Sequence, residues 1–142
     1  MSRLVQLMTP NPISIADSAT VGEASRTMFD CGLRHLPVVD GSNRVVGIIS
    51  DRDLRGPMVG CLGNVPSLTT SVSAVMTRDV VTAHVDDRVH VAAQKMVDRR
   101  VGAVLVVDND SLIRGIVSYV DVLGQLVREA AQDARAVDLI DS

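Results

Sequence analysis

The sequence predicts a mixed α/β (α+β) fold made of two copies of one β-α-β-β-α unit. Three observations carry that reading: a gapless internal repeat, short β-branched runs bounded by turn residues, and helix-period apolar stripes. The repeat is plainest in Gly47-Ile48-Ile49-Ser50-Asp51-Arg52-Asp53, which returns as Gly115-Ile116-Val117-Ser118-Tyr119-Val120-Asp121 at an offset of 68 residues, 115 less 47. In the same register Met8-Thr9 matches Met76-Thr77, Val21 matches Val89, Ala24 matches Ala92 and Met28 matches Met96. Asp30 falls on Asp98, and Val38-Val39-Asp40 returns as Val106-Val107-Asp108. One register held from Met8 to Asp53 marks a duplication.

Each copy opens on a short extended piece, Ile13-Ser14-Ile15 in the first and Val80-Val81-Thr82 in the second. Turn residues follow, Asp17-Ser18-Ala19-Thr20 and then Asp86-Asp87, of the types that satisfy free N–H groups at a helix start. Val21, Ala24 and Met28 share one helical face, as do Val89, Ala92 (or Ala93) and Met96. Gly32 is expected to end the first helix and Gly102 to follow the second. Two apolar runs then flank a polar turn. In the first copy Leu36-Pro37-Val38-Val39 and Val45-Val46-Gly47-Ile48-Ile49 enclose Asp40-Gly41-Ser42-Asn43, and in the second Val104–Val107 and Leu112–Val117 enclose Asp108-Asn109-Asp110-Ser111. Such runs suit strands buried on both faces.

A helix begins near Ser50 and another near Ser118. The second continues through Val122, Leu123, Leu126, Val127, Ala130 and Ala131, with Arg128, Glu129, Asp133 and Arg135 on its charged face. Its length suits a subunit contact as well as a core. The expected organisation is a first repeat over 1–60, a connecting segment over 61–72 and a second repeat over 73–142 with an extended C-terminal helix. At about 60 residues neither half buries enough surface to be comfortable alone, so the two are expected to share a core.

Composition narrows the function. The formal net charge is −3 and there is no long basic run, which argues against a phosphate-backbone binder. Phe29 and Tyr119 are the sole aromatics, too few for base-stacking platforms, so no nucleic-acid partner is expected. No apolar run is long enough for a signal peptide core or a membrane span. Cys31 and Cys61 lack metal-motif spacing and read as reduced thiols of a cytosolic protein. Cys31 and His35 are four apart, but Gly32 breaks the helical register between them. His35, His84 and His90 form no metal-ligand pattern, and no Gly-rich phosphate loop is present. The stretch Thr20 to Leu36 imitates a helix-turn-helix, yet its repeat copy ends in strands.

The pairs Ser50-x-x-Asp53 and Ser118-x-x-Asp121 admit two readings. Serine before a helix with an acid at the third helical position resembles a capping box, and the helix dipole favours the acid there. The same geometry suits a nucleotide: free N–H groups and a hydroxyl seat an anion, and a carboxylate one turn inside accepts from a pair of sugar hydroxyls. A cap tolerates Glu for Asp53, whereas a ribose acceptor is misplaced by the extra methylene.

The duplicated unit, the Met-Thr openings, the run His35-Leu36-Pro37-Val38-Val39-Asp40 and the Gly-x-x-Ser-x-x-Asp closures together resemble a tandem pair of cystathionine-β-synthase (CBS) domains. The resemblance covers nearly the whole chain, from about Leu4 to the last helix. It implies two repeats about a pseudo-twofold axis, sheets packed together with helices outside, and two clefts between the sheets. It implies an adenosyl compound as regulatory ligand (AMP, ADP, ATP, S-adenosylmethionine or NAD(H)), with no cofactor required, and a homodimer that acts on a partner protein.

Carried over by position, the ribose acceptors are Asp53 and Asp121 and the hydroxyl contacts Ser50 and Ser118. Asp53 is expected to share a cleft with Val80, Val81, Val101, Gly102 and Ala103, and Asp121 with Pro12, Ile13, Leu33, Arg34 and His35. The clefts differ. Arg52, a position that reaches phosphate in the family, has Val120 as counterpart, while Arg34 and His35 have Gly102 and Ala103. The first-repeat basic groups are expected to converge near the middle with Arg99 or Arg100. On that basis the Asp121 cleft is the expected site for a phosphorylated ligand, and aliphatic walls are expected around the adenine. The resulting reading is a stand-alone cytosolic sensor, neither enzyme nor membrane protein. The alternative is an interaction module with empty clefts, whose Ser/Asp pairs are caps.

Overall fold

The computed structural model of the chain describes residues 2–55 and 67–141. Cys61 and the first half of the connecting segment, residues 61–66, lie outside the described residues. The first repeat contains α1 (Leu4–Leu7), β1 (Thr9–Pro10), β2 (Ile15–Ala16), α2 (Val21–Cys31), β3 (His35–Val39), β4 (Val45–Ser50) and α3 (Asp51–Arg55). The second opens on a 3-10 turn at Val72–Ala74 and continues with β5 (Thr82–His84), α4 (Val89–Arg99), β6 (Ala103–Val107), β7 (Ile113–Ser118) and α5 (Tyr119–Asp141).

Within each repeat the order β-α-β-β-α holds. Strand β2 runs parallel to β3 across the α2 crossover, and β3 pairs antiparallel with β4; β5, β6 and β7 repeat that pattern. The polar turns work through their first aspartate. Asp40 Oδ1 accepts from the N–H groups of Ser42 and Arg44 at 2.8 and 3.0 Å, and Asp108 Oδ1 accepts from those of Asp110 and Leu112 at 2.9 and 3.1 Å. Each hairpin carries a register shift at the same place, Val38/Val39 and Val106/Val107.

The sheets are not confined to their own repeats. One has the order β2-β3-β4 and the other β1-β7-β6-β5, so β1, from the start of the first repeat, joins the second repeat's sheet. Thr9 pairs with Ile116 there, and Thr77 pairs with Ile48 in the reverse direction. Residues leading into each repeat therefore dock on the other. Leu4 N–H donates to Asp87 O at 3.0 Å, and its counterpart Val72 N–H to Ala19 O at 2.9 Å. Leu4 and Val72 are both 0% exposed.

The expected common core is replaced by two. One joins Val81, Ala83, Val89, Ala92, Met96, Val104, Val106 and Val117 of the second repeat with Leu4. The other joins Ala19, Ala24, Met28, Leu36, Val38 and Ile49 of the first with Val72 and Met76. Exchange of leaders solves the problem of small halves differently: each core borrows its last large side chains from the segment preceding the other repeat. It also explains why the first strands begin at Ile15 and Thr82, two residues later than expected. The residues between Thr9 and Ile15, and between Thr77 and Thr82, must cross from one sheet to the other.

The helix ends follow the repeat register. Thr20 and Glu23 form a capping box on α2, and Gly32 closes it with φ 65°. Gly102 follows the second helix as expected, and the left-handed residue that closes it is Arg100, the counterpart of Gly32, with φ 55°. A non-glycine residue in that left-handed conformation costs about 1–2 kcal/mol.

Leu4→Ala is expected to destabilise the chain by about 2–5 kcal/mol, the range for emptying a buried leucine site. Amide exchange should accelerate in β5, β6 and β7 ahead of β2, β3 and β4. Native-state hydrogen exchange resolves the two, and faster exchange confined to the first repeat's sheet would contradict the crossed leaders.

Candidate functional site

The open ends of the two hairpins carry the singled-out residues. In the first, His35 lies opposite Ser50, and Asp51 N–H donates to Arg34 O at 3.1 Å. In the second, Ala103 lies opposite Ser118, and Tyr119 N–H donates to Gly102 O at 2.9 Å. Strand pairing thus places the loop before β3 or β6 beside the start of α3 or α5.

Both Ser-x-x-Asp pairs form capping boxes. Ser50 N–H donates to Asp53 Oδ2 at 2.9 Å and Asp53 N–H to Ser50 Oγ at 3.3 Å; Ser118 N–H donates to Asp121 Oδ2 at 2.8 Å and Asp121 N–H to Ser118 Oγ at 3.3 Å. Ser118 Oγ also donates to Asp121 Oδ2 at 3.1 Å. In each carboxylate the other oxygen, Oδ1, takes no hydrogen bond from the described residues.

A cavity of about 420 Å³ lies between the repeats, lined by Arg34, His35, Ile48, Ser50, Asp51, Arg52 and Asp53 of the first and by Thr77, Asp79, Val80, Val81, Arg100, Val101, Gly102, Ala103 and Tyr119 of the second. It brings Asp53, Ser50 and Arg52 together with Val80, Val81, Val101, Gly102 and Ala103, as grouped from the sequence. Arg34 and His35, grouped with Asp121 from the sequence, line this cavity with Asp53 instead, because β3 pairs with β4 inside one repeat and sets them beside Ser50. Pro12, Ile13, Leu33, Ser118 and Asp121 do not line it. Leu33 packs against the first core, and Ile13 is 46% exposed.

Six lining residues lie outside the sequence grouping: Ile48, Asp51, Thr77, Asp79, Tyr119, and Arg100, which was expected near the middle only as an alternative to Arg99. Arg100 was signalled by its position opposite Gly32. Tyr119 was signalled as one of two aromatics and as the counterpart of Asp51, and it adds an aromatic face to walls expected to be aliphatic.

The charges of the cavity are specific. The first turn of α3 carries Asp51 and Asp53, which repel an anion at that end. Cationic groups come from Arg34, Arg52 and Arg100, whose side chains make no ion pair among the described residues. Arg99 instead pairs with Asp79. Burial lowers the His35 imidazole below its ordinary range; Asp51 and Asp53 pull it up, Arg34 pushes it down, and burial prevails. Among the described residues no group of three or more His, Cys, Asp or Glu is arranged to hold a metal ion. Among them, too, no helix is long and apolar enough to cross a membrane.

The CBS domain family model matches this chain twice, over residues 4–60 and 72–128. The chain belongs to the CBS domain family. Among solved structures it is similar to the CBS domain pair of protein MJ0100 in complex with 5′-methylthioadenosine and S-adenosyl-L-methionine. The TM-score is 0.79 at 27% identity, covering 91% of this chain and 98% of that one. It is also similar to the cytosolic domain of the Mg2+ channel MgtE in complex with ATP, with TM-score 0.74 and 28% identity over 87% of this chain and 48% of that one. Curated relatives include inosine-5′-monophosphate dehydrogenase of Methanocaldococcus jannaschii, 32% identical over 92% of this chain, and homoserine O-acetyltransferase of Methanohalobium evestigatum, 28% identical over 87%. The chain spans 24% of the length of each of these two.

The depressed His35 pKa has a signed consequence. Below pH 6.5, the ordinary imidazole value, the unfolded chain binds a proton that the folded chain resists. The contribution of His35 is therefore fully present above about pH 6.5 and is lost as pH falls through the folded pKa. Between pH 7.5 and 5.5 the wild type is expected to lose more Tm than His35→Gln. Equal losses would show that burial does not govern this imidazole.

Proposed function

We propose that this CBS pair is a regulatory module that binds an adenosyl ligand in the cavity between its repeats and transmits binding through a dimer or partner surface. The observation that carries the reading is the composition of that cavity, in which both repeats contribute and Asp53 shares the lining with Val80, Val81 and Val101. Apolar walls suit a purine, Tyr119 offers a face for stacking, and Asp53 Oδ1 is available to ribose hydroxyls. The adenosyl ligands named for MJ0100 and MgtE, at 27% and 28% identity, support the ligand class. The Asp53 side is preferred to the Asp121 side because Arg34, His35 and Arg52 gather there.

Signalling through a second copy is supported by apolar side chains left in solvent. Phe29 on α2 and its repeat counterpart Val97 on α4 are 87% and 71% exposed, and Leu123, Leu126 and Val127 are exposed along α5. The exposed free thiol of Cys31 fits the reducing conditions of a cytosolic setting. A second reading, an interaction module with empty clefts, is favoured by one observation: the Ser/Asp hydrogen bonds already complete two capping boxes.

Thermal shift separates the readings. A ligand at a hundredfold excess over its Kd stabilises the folded state by about 2.7 kcal/mol, a rise of roughly 5–10 °C at this size. AMP, ATP, S-adenosylmethionine or NADH is expected to give such a rise. Asp53→Glu should abolish most of it and leave the unliganded Tm within about 2 °C, since glutamate still caps. A full shift retained in Asp53→Glu but lost in Asp121→Ala would move the site to the other cleft. Absence of any shift with all four ligands would favour the interaction module.

A further inference from the structure

The cavity's cationic side chains come from different places in the fold. Arg34 precedes β3 and Arg52 lies in α3, both in the first repeat, while Arg100 ends α4 in the second. Each would ordinarily find an acid. Yet Asp79, the acid of the second repeat in the lining, pairs with Arg99, and one oxygen of Asp53 is held by Ser50 N–H. Arg34, Arg52 and Arg100 are left without an ion pair among the described residues.

Arg100 stands apart for a second reason. It occupies the left-handed helix end, φ 55°, that the first repeat fills with Gly32, φ 65°. That conformation disfavours any side chain, and strain of this kind is found where a residue serves a site. The helix end itself does not need arginine: its N–H donates to Met96 O, a bond glycine would make equally.

We propose, resting on the adenosyl reading above, that Arg100 is a specificity-determining residue that selects a nucleoside polyphosphate. With purine and ribose set between Asp53 and the Val80, Val81 and Val101 wall, the phosphate chain extends toward the guanidiniums. Arg34 and Arg52 take the phosphate nearest the ribose, and Arg100, across the seam, takes the distal ones. Arginine's planar donor fork matches phosphate oxygens and keeps its charge at every physiological pH. A sulfonium placed among the guanidiniums, where the phosphates would lie, is repelled by them, so S-adenosylmethionine is discriminated against although its adenosine would fit. A monophosphate engages the first-repeat arginines alone.

Isothermal titration of the full chain with AMP, ATP and S-adenosylmethionine, on wild type and Arg100→Gly, tests this. Glycine suits the left-handed conformation, so the unliganded Tm should hold or rise. ATP is expected to bind wild type at least about tenfold more tightly than AMP. Arg100→Gly should weaken ATP by about 10- to 100-fold, the value of a charge-assisted contact, while AMP changes less than about threefold. The salt dependence of ATP binding should become shallower in the variant. S-adenosylmethionine binding as tightly as ATP, or equal weakening of AMP and ATP by Arg100→Gly, would overturn the proposal and leave the adenosyl reading standing. Binding of none of the three ligands would overturn both.

Discussion

The rest of the structure depends on two methionines lying across two glycines. A Cβ on Gly47 would stand 2.9 Å from Met76 Cγ and 3.1 Å from Thr77 O; a Cβ on Gly115 would stand 2.8 Å from Met8 Cγ and 3.0 Å from Thr9 O. Any side chain there would push the incoming leader off the strand. With glycine, the backbone of each leader comes close enough for Thr9 to pair with Ile116 and Thr77 with Ile48. Those pairings carry Leu4 and Val72 into cores that belong to the opposite repeats. The glycines are thus selected for close approach, not for a turn.

This constraint also fixes the cavity. Because each leader is anchored on the opposite sheet and then returns to its own, the two sheets are tied in both directions. The stretches that make the return, residues 11–14 and 78–81, include Asp79, Val80 and Val81, which form one wall of the cavity. The end of the β3–β4 hairpin lines the cavity as well. A ligand bound there would touch the crossing segment of one repeat and the strand ends of the other, so the machinery that joins the repeats would also sense occupancy.

Much of this was legible in the sequence, and the failures have physical causes. The repeat register located the helices, the hairpins and the Ser/Asp boxes because each is specified locally, by periodicity and by turn or cap chemistry. The leaders were not legible. Leu4, Met8, Val72 and Met76 sit in segments too short to show a period, and nothing local says which sheet they will cover. Gly47 and Gly115 were conspicuous as motif residues, but their partners are far away in the chain. Gly102 does follow α4, but the left-handed closing position was not legible, because it is held by Arg100, which only the register places opposite Gly32. Arg34 and His35 were assigned across the seam, although β3–β4 pairing keeps them beside Asp53.

Capping and ligand binding are not exclusive uses of Asp53. The cap engages Oδ2 and fixes the carboxylate's orientation, which a ribose acceptor also requires, and Oδ1 remains available. Two capping boxes of matching geometry therefore cannot distinguish the clefts; the surrounding charges must. At three repeat-related pairs, Arg34/Gly102, Arg52/Val120 and Arg100/Gly32, one member is arginine and the other small or apolar. The duplicated backbone supplies two equivalent seats, and substitution has gathered all three arginines around one of them. Two belong to the first repeat and one to the second. An anion held by all three would feel any change in the separation of the repeats, whereas one held within a single repeat would not. Since a ligand shifts a conformational equilibrium only through different affinities for its two states, the asymmetric arginine set is the feature that would let binding at this seam act on the arrangement of the module.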